Sequence, residues 1–541
     1  MKILAILSLL VVIGFSSSVK AQTFSHYHIN TLYDAIDNPQ RGYFEYRCKK
    51  VATNLFIPNF DVNTRLMGQS NKLFQGILFS ENLNDIKLDN NRKRTNQLVI
   101  DNSINIFTLK ILLNKEDQSE FFFNVGTQIS GRVQFKNDVL NVLTFGNGTF
   151  RGETLNGFFN TNSDATAYAK ATIGYRRNFS DRVSGGVSLS ILNGAVNRSL
   201  LIKNSSFRTE ETTNGADITM KLQGELRSSE ALDSFDENQI ISNFTSFQNS
   251  GYEVDLGVNY DINEKLRASA AFKDFGQIFW NNESYVYTID KEITFKGISL
   301  STSEDVIKSL TDSFEQFISD TLKGSYITNV PAKAQVSIYQ QVFRKSGVGL
   351  IISKPIYSAD MDIVANADLR ILGPLHTIFT LGYNTSSYTN LGAGLLYKGR
   401  FLEFFLGSEQ LLNVAFLSQR LASEGTYTGP TYSFGADVNF GFAIRVGRCS
   451  KKVKGQEQEE LTTVYKDTDG DGVLDNVDRC PNNPGSIDRA GCPYLDSDND
   501  GIIDLVDDCP YEAGTVESNG CPNNDFDRDG VLNRDDECPN E

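Results

Sequence analysis

Phe434-Gly-Ala-Asp-Val-Asn-Phe-Gly-Phe-Ala-Ile-Arg-Val446 is the stretch whose reading decides the fold of most of this chain. Phe434, Ala436, Val438, Phe440, Phe442, Ile444 and Val446 enclose Asp437, Asn439 and Arg445. Side chains on a strand alternate between faces, so this segment is apolar on one side and polar on the other. The same two-residue period returns upstream. Val125, Thr127, Ile129, Gly131, Val133 and Phe135 alternate with Gln128, Ser130, Arg132 and Gln134. Ala216, Ile218, Met220 and Leu222 alternate with Asp217, Thr219, Lys221 and Gln223, and Tyr252 to Tyr260 repeats the pattern.

Two closed solutions satisfy such strands. A soluble sandwich turns the apolar face inward, whereas a membrane barrel turns it to lipid and lines its lumen with polar groups. Several runs extend well past the roughly 5–6 residues usual in a sandwich and reach the about 9–11 that a tilted membrane strand needs. Phe (37) and Tyr (21) are abundant and Trp280 is the single tryptophan, a composition suited to aromatic girdles at the two interfaces. The turns are unequal as well: 179–182 and 261–265 are short, whereas 137–163 and 287–330 are long. The expected fold is therefore all-β: a transmembrane antiparallel β-barrel of about 14 strands between Cys48 and Gly447. An even count puts both ends of the barrel on one side, which would bring Cys48 near Cys449; a disulfide between them and two free thiols are both open.

Met1-Lys2 opens an apolar run from Ile3 to Phe15, interrupted by Ser8 and Gly14, and Val19-Lys20-Ala21 follows. This is the pattern of a secretory signal cleaved before Gln22, and the run is too short for the about 20 residues of a membrane-spanning helix. Seven cysteines in an exported chain fit an oxidising compartment. The expected division is a signal peptide at 1–21, a barrel at 22–449, a linker at 450–466 and a repeat region at 467–541.

That last region repeats one unit at a step of 29. Its copies begin Asp467-Thr-Asp469-Gly-Asp471-Gly472, Asp496-Ser-Asp498-Asn-Asp500-Gly501 and Asp525-Phe-Asp527-Arg-Asp529-Gly530. Each continues to Asp475, Asp504 or Asn533 at position 9 and to Asp478, Asp507 or Asp536 at position 12. Acids at positions 1, 3 and 5 of a tight loop converge hard oxygens on one point, and glycine at position 6 permits the sharp turn. Ca²⁺ takes about six to eight such oxygens, so all fifteen residues are candidate calcium ligands. Asp at position 12 and the Cys-Pro pair after it separate the unit from an EF-hand, because proline discourages the exiting helix. Residues 463–541 hold 21 Asp/Glu and 5 Lys/Arg, which matches the net −16 of the whole chain and leaves the remainder neutral. No basic surface for nucleic acid is present.

Together with Gly491-Cys492-Pro493 and Gly520-Cys521-Pro522, this unit resembles the thrombospondin type 3 repeat. The resemblance implies a rod held by calcium and disulfides with almost no apolar core, and the scarcity of apolar side chains here agrees. The simplest pairing is Cys480–Cys492 and Cys509–Cys521, with Cys538 left over. The third repeat stops at Glu541 before its Gly-Cys-Pro, so the chain is expected to be truncated, a naturally ragged end being the alternative.

Asn38-Pro39, Leu55-Phe-Ile-Pro58, Gly174-Tyr175 and the glycine-rich 183–191 hairpin give residues 22–447 a further resemblance. They look like an outer-membrane barrel family of Bacteroidetes related in style to the long-chain fatty-acid transporter and type IX secretion barrels. In that group such repeats lead into a peptidoglycan-binding domain of the outer-membrane protein A type; this sequence carries no such domain. One helix is expected in the longest loop, from Val306, Ile307, Leu310, Phe314, Phe317, Ile318 and Leu322 behind a Thr302-Ser303-Glu304-Asp305 cap, and a weaker one at 229–247.

His26, His28 and His376 are the only histidines, and no P-loop, Cys-x-x-Cys or Gly-x-Ser-x-Gly occurs. The functional expectation is a non-enzymatic outer-membrane barrel in contact with lipid. Its calcium-binding periplasmic tail would space it from the cell wall (peptidoglycan) or a secretion-complex protein, and the barrel would pass small or hydrophobic solutes. The alternative is a calcium-dependent cell-surface adhesin.

Overall fold

The computed structural model describes residues 27–43, 49–68, 95–145, 150–212, 215–232, 237–296, 316–343, 346–358, 360–385, 388–411, 434–447, 467–475, 477–533, 535–538 and 540. By its contacts the chain divides into two compact units, Met1–Arg448 and Cys449–Glu541.

Alternation becomes a wall in the first unit. The strands are β1 (Val51–Thr53), β2 (Asn59–Met67), β3 (Thr95–Asn114), β4 (Ser119–Lys136), β5 (Thr154–Asn156), β6 (Thr161–Asn178), β7 (Val183–Thr212) and β8 (Gly215–Ser228). They continue as β9 (Ser250–Asp261), β10 (Leu266–Trp280), β11 (Tyr285–Lys296), β12 (Ile318–Lys323), β13 (Tyr326–Asn329) and β14 (Lys333–Phe343). The last six are β15 (Ser346–Pro355), β16 (Asp362–Leu372), β17 (Leu375–Asn384), β18 (Tyr388–Lys398), β19 (Leu402–Ser408) and β20 (Phe434–Val446). β1 and β2 form one interrupted first strand, broken where Leu55 and Phe56 take positive φ, and both halves pair with β3 on one side and β20 on the other. From β3 the wall runs antiparallel through β4, β6, β7, β9, β10 and β14, then in sequence order to β20. That is a closed antiparallel barrel of 14 strands, as the alternation predicts.

In β17, Ile378 and Thr380 are buried toward the lumen, while Phe379, Leu381 and Tyr383 point outward and are exposed. The same split holds around the wall: Ile173, Leu189, Leu256, Val336, Leu350, Leu395 and Leu406 are exposed, whereas Asn124, Ser190, Asn259, Gln335, Asn366 and Asn439 are buried. An outward apolar band with a polar interior is the arrangement lipid selects. Tyr175, Phe179, Tyr260, Phe343, Tyr397 and Phe401 are exposed beside the short turns, while Tyr252, Phe279 and Tyr383 are exposed near the opposite strand ends. Trp280 is not among them. It is buried, stacks on Tyr326 and donates from Nε1 to Thr328 Oγ1 at 2.9 Å, because its indole N–H finds a partner there.

The turns 115–118, 179–182, 262–265, 373–374 and 399–401 lie at one rim, and the long connections of the wall from β4 to β6 and from β10 to β14 lie at the other. The chain enters and leaves the wall at that rim too, since Val51 stands opposite Val446.

Not every alternating run is wall. β7 has 30 residues; at about 3.3 Å each it far exceeds a hydrocarbon core of about 30 Å, so its second half continues past the long-loop rim. There it pairs with β5 and β8, and β8 carries β11 and then β12. The Ala216–Gln223 run therefore belongs to this side sheet. Leu200, Ile202, Leu222, Leu226, Tyr287, Ile289 and Phe317 form its core. The helix expected through Leu322 is corrected at its C-terminal end: Ile318–Lys323 is extended, with Leu322 opposite Val286. Pairing with β11 and burial of Phe317 outweigh the helical spacing. Residues 302–315 of that expected helix lie outside the described residues. Among the described residues three helices complete the unit: α1 (Leu32–Asp37), α2 (Asn137–Phe145) and α3 (Glu237–Ser246), the last within the expected 229–247. No helix among the described residues is long and apolar enough to cross a membrane. The signal peptide, His26, the 450–466 linker and the Cys48–Cys449 pair also lie outside the described residues.

Candidate functional site

The first site is the lumen, which the N-terminal segment 27–43 occupies. Thr31 caps α1 by accepting from the Asp34 N–H at 3.0 Å, and Leu32, Ala35 and Tyr43 pack on Ala52, Leu112 and Ala443 of the wall. Strands all around the circumference hold the segment. Glu403 on β19 accepts from the Leu32 N–H at 2.7 Å, from the Tyr43 hydroxyl at 3.2 Å and from Arg445 Nη2 at 2.6 Å. Glu120 on β4 accepts from the Tyr43 N–H at 3.0 Å and pairs with Lys110 on β3, which donates to the Ala35 carbonyl at 3.1 Å. Asn366 on β16 donates to the Tyr27 carbonyl at 2.7 Å, Asn259 on β9 donates to the Gln40 carbonyl at 2.7 Å, and Lys273 on β10 pairs with Asp37 at 2.5 Å. Gly186 and Gly257 face each other across β7 and β9. A Cβ on Gly186 would lie 2.1 Å from the Pro39 carbonyl oxygen, and one on Gly257 would lie 2.1 Å from Gln40 Oε1. Glycine is needed at Gly186 because the plug backbone approaches the wall that closely, while at Gly257 the Gln40 side chain occupies the space.

Sequence reasoning missed this plug. The signals were the glycines of the 183–191 hairpin and charged residues at inward positions, where lumen charges need partners. Glu253, Asp255 and Asp274 illustrate the latter: they cluster and are buried, yet Lys170 pairs with Glu253 and Lys333 with Asp274 at 3.2 Å. His376 Nδ1 lies 2.9 Å from Asp368 on the neighbouring strand, and His28 contacts Asn366 at 3.3 Å and Ser337 at 3.2 Å.

The second site is the acidic repeat. Carboxylate oxygens of Asp467, Asp469 and Asp471 converge within 4.8 Å of one another, as do those of Asp496, Asp498 and Asp500 and those of Asp525, Asp527 and Asp529. Gly472, Gly501 and Gly530 have φ between +92° and +96°, which the turn requires. Position 1 is braced by backbone: Gly470 and Gly472 donate to Asp467 at 2.8 and 2.9 Å. Position 5 receives the next segment, with Gly485 donating to Asp471 Oδ2 at 2.8 Å and Gly514 to Asp500 Oδ2 at 2.9 Å. Position 9 bonds within the loop: Thr468 donates to Asp475 from its N–H at 2.7 Å and its hydroxyl at 2.6 Å, and Ser497 does the same to Asp504. In the third copy position 2 is Phe526, which has no hydroxyl, and Asn533 accepts the one N–H at 2.9 Å. Asn533 thus accepts one donor where Asp475 and Asp504 accept two.

Calcium fits these loops on a direct observation. Both oxygens of Asp469 and one oxygen each of Asp478, Asp498, Asp507, Asp527 and Asp536 are buried without a hydrogen-bond donor. Buried anionic oxygens with no donor are costly, and a hard cation satisfies several at once. Burial, then the neighbouring Asp471 charge, pushes the Asp469 carboxyl above its ordinary range, and burial does the same for Asp498. Cys480–Cys492 and Cys509–Cys521 are disulfide-bonded, and Cys538 is free.

A closed 14-strand barrel with a lipid-facing band and a polar lumen defines the class of outer-membrane barrel proteins. The family of unknown function DUF5723 matches residues 49–409, and the chain belongs to it. The thrombospondin type 3 repeat model matches 465–486, 492–516 and 520–541. Among solved structures, the barrel is similar to the Ralstonia pickettii toluene transporter TbuX, at 11% identity over 77% of this chain and 94% of that one, with a TM-score of 0.35. It is also similar to a Pseudomonas aeruginosa FadL homologue, at 9% identity over 80% and 99%, with a TM-score of 0.38. At these scores the likenesses carry no argument about what the present barrel passes.

Proposed function

We propose that this chain is a non-enzymatic outer-membrane barrel, shut by its own N-terminal segment, with a calcium-ordered tail in the periplasm. The observation that carries the reading is the register Val51↔Val446: the chain enters and leaves the wall at the short-turn rim, the periplasmic rim of bacterial barrels. The tail follows Val446 in the chain. Asp467, Asp469, Asp471, Asp475 and Asp478, with their counterparts in the next two copies, would hold one Ca²⁺ per loop directly or through the loop frame. The ion supplies folding free energy to a segment with little apolar core. A stiffened tail then spaces the barrel from the cell wall or a secretion partner. Solute passage requires the plug to move, and the polar lumen favours small polar solutes over hydrophobic ones. Protease and antibody access to residues 467–541 tests the topology: protection in intact cells and cleavage after outer-membrane permeabilisation are expected. Cleavage in intact cells would overturn the reading in favour of a surface adhesin.

A further inference from the structure

At the short-turn rim, a cavity of about 570 Å³ opens between the seated plug and the turns. That volume lies within the range of small-molecule sites, about 300–1,000 Å³. Its wall is charged. Arg41, Lys265, Arg267, Arg370, Lys398 and Arg400 line it, against the carboxylates of Asp261, Glu264 and Asp368. Two of those three carboxylates are already engaged, Asp261 by Arg267 at 2.5 Å and Asp368 by His376 at 2.9 Å. Arg267 is spent in the first of these pairs, but the six lining cations still outnumber the three carboxylates, and low-dielectric walls focus the net positive field on the cavity.

Arg41 marks the deep end. It belongs to the plug, is 2% exposed and lies over the Tyr27 ring at 4.7 Å. Its Nε is 3.7 Å from Asp34 Oδ1, beyond hydrogen-bond reach, and neither Nε nor Nη2 has a hydrogen-bond acceptor. A buried guanidinium with unfilled donors is a costly arrangement, and the fork of N–H groups matches the oxygens of a phosphate or carboxylate. Lys265 and Arg400 are exposed at the mouth, where they meet an entering ligand first.

We infer that this vestibule binds a small oxyanion, the phosphate or carboxylate group of a solute or lipid headgroup reaching the barrel from its short-turn side. Arg41 is the deep anchor, and Lys265 and Arg400 are the capturing charges. The site holds its ligand against the plug, so occupancy favours the seated conformation. It is a property of the folded barrel and does not depend on the compartment of the tail.

The test is calorimetry on the full-length protein in a neutral detergent without added calcium. One arm titrates inorganic phosphate; the other titrates mixed micelles containing phosphatidylglycerol. The expected result is saturable binding in at least one arm, weakened about tenfold in Lys265→Gln/Arg400→Gln and more strongly in Arg41→Gln. Binding in the phosphate arm identifies a soluble anion, and binding confined to the micelle arm identifies a headgroup. The rim double variant leaves the plug contacts intact, so it decides the matter even where Arg41→Gln does not fold. No binding in either arm, or equal binding by the double variant, would overturn the assignment, and neither outcome bears on which side of the membrane the tail lies.

Discussion

Replacing Glu403 by alanine should open the barrel without unfolding it. Glu403 is buried and accepts from three donors at once: the Leu32 N–H and Tyr43 hydroxyl of the plug, and Arg445 of the wall. Removing one partner of a buried ion pair costs about 3–5 kcal/mol, because Arg445, itself buried, is left without its counter-charge. The Leu32 N–H and Tyr43 hydroxyl add to that, at about 1–3 kcal/mol for a group left unsatisfied. All three groups regain water when the plug leaves, so the penalty falls on the plugged state. Taking about 3 kcal/mol as the net shift, and about 1.4 kcal/mol per factor of ten, the unplugged population rises about a hundredfold. Glu403→Gln keeps an acceptor and loses only the charge, so its effect should be smaller. Single-channel recording in planar bilayers reads the open fraction directly, and migration on a gel before and after boiling confirms a folded barrel. A folded Glu403→Ala protein as silent as the wild type would refute the view that this network holds the plug.

Gly186→Ala should raise the open fraction in the same recording, because its Cβ would lie 2.1 Å from the Pro39 carbonyl; an unchanged trace would place the plug elsewhere. Asp469→Ala with Asp471→Ala should remove about one bound Ca²⁺ per chain while the gel signature of the barrel stays as in wild type; loss of the barrel would contradict two separate units. Residues 22–449 expressed alone and purified in detergent should migrate faster before boiling than after, with β-rich circular dichroism; a helical spectrum would contradict the barrel.

The wall was legible because lipid and lumen impose opposite chemistries on neighbouring residues. Phe434 to Val446 carries that code openly, and β20 follows it. The same period could not separate wall from side sheet: Ala216 to Gln223 alternates as cleanly, and only the pairing of β8 with β11 moves it outside. The helical spacing that ends at Leu322 misled because apolar residues at i and i+4 also fit a strand whose far side lies on a core, and β11 supplied the edge. Asp467 to Gly472 and its two copies were legible at single-residue level, since convergent carboxylates and a left-handed glycine are local requirements. The use of Asp475 and Asp504 as acceptors for the position-2 hydroxyl was not, although Phe526 with Asn533 records it in the sequence. The plug was least legible. Residues 27–43 have ordinary composition, and their meaning lies in partners such as Glu120, Asn259 and Glu403, which are remote in sequence.

Calcium titration of the full-length oxidised protein in detergent, followed by calorimetry, tests the account of the tail most directly. At least three ions per chain are expected, the third loop binding weakest because Asn533 lowers its charge and Cys538 is free. Protease resistance of residues 467–541 should appear as those ions bind. Absence of calcium binding at millimolar concentrations would contradict the account.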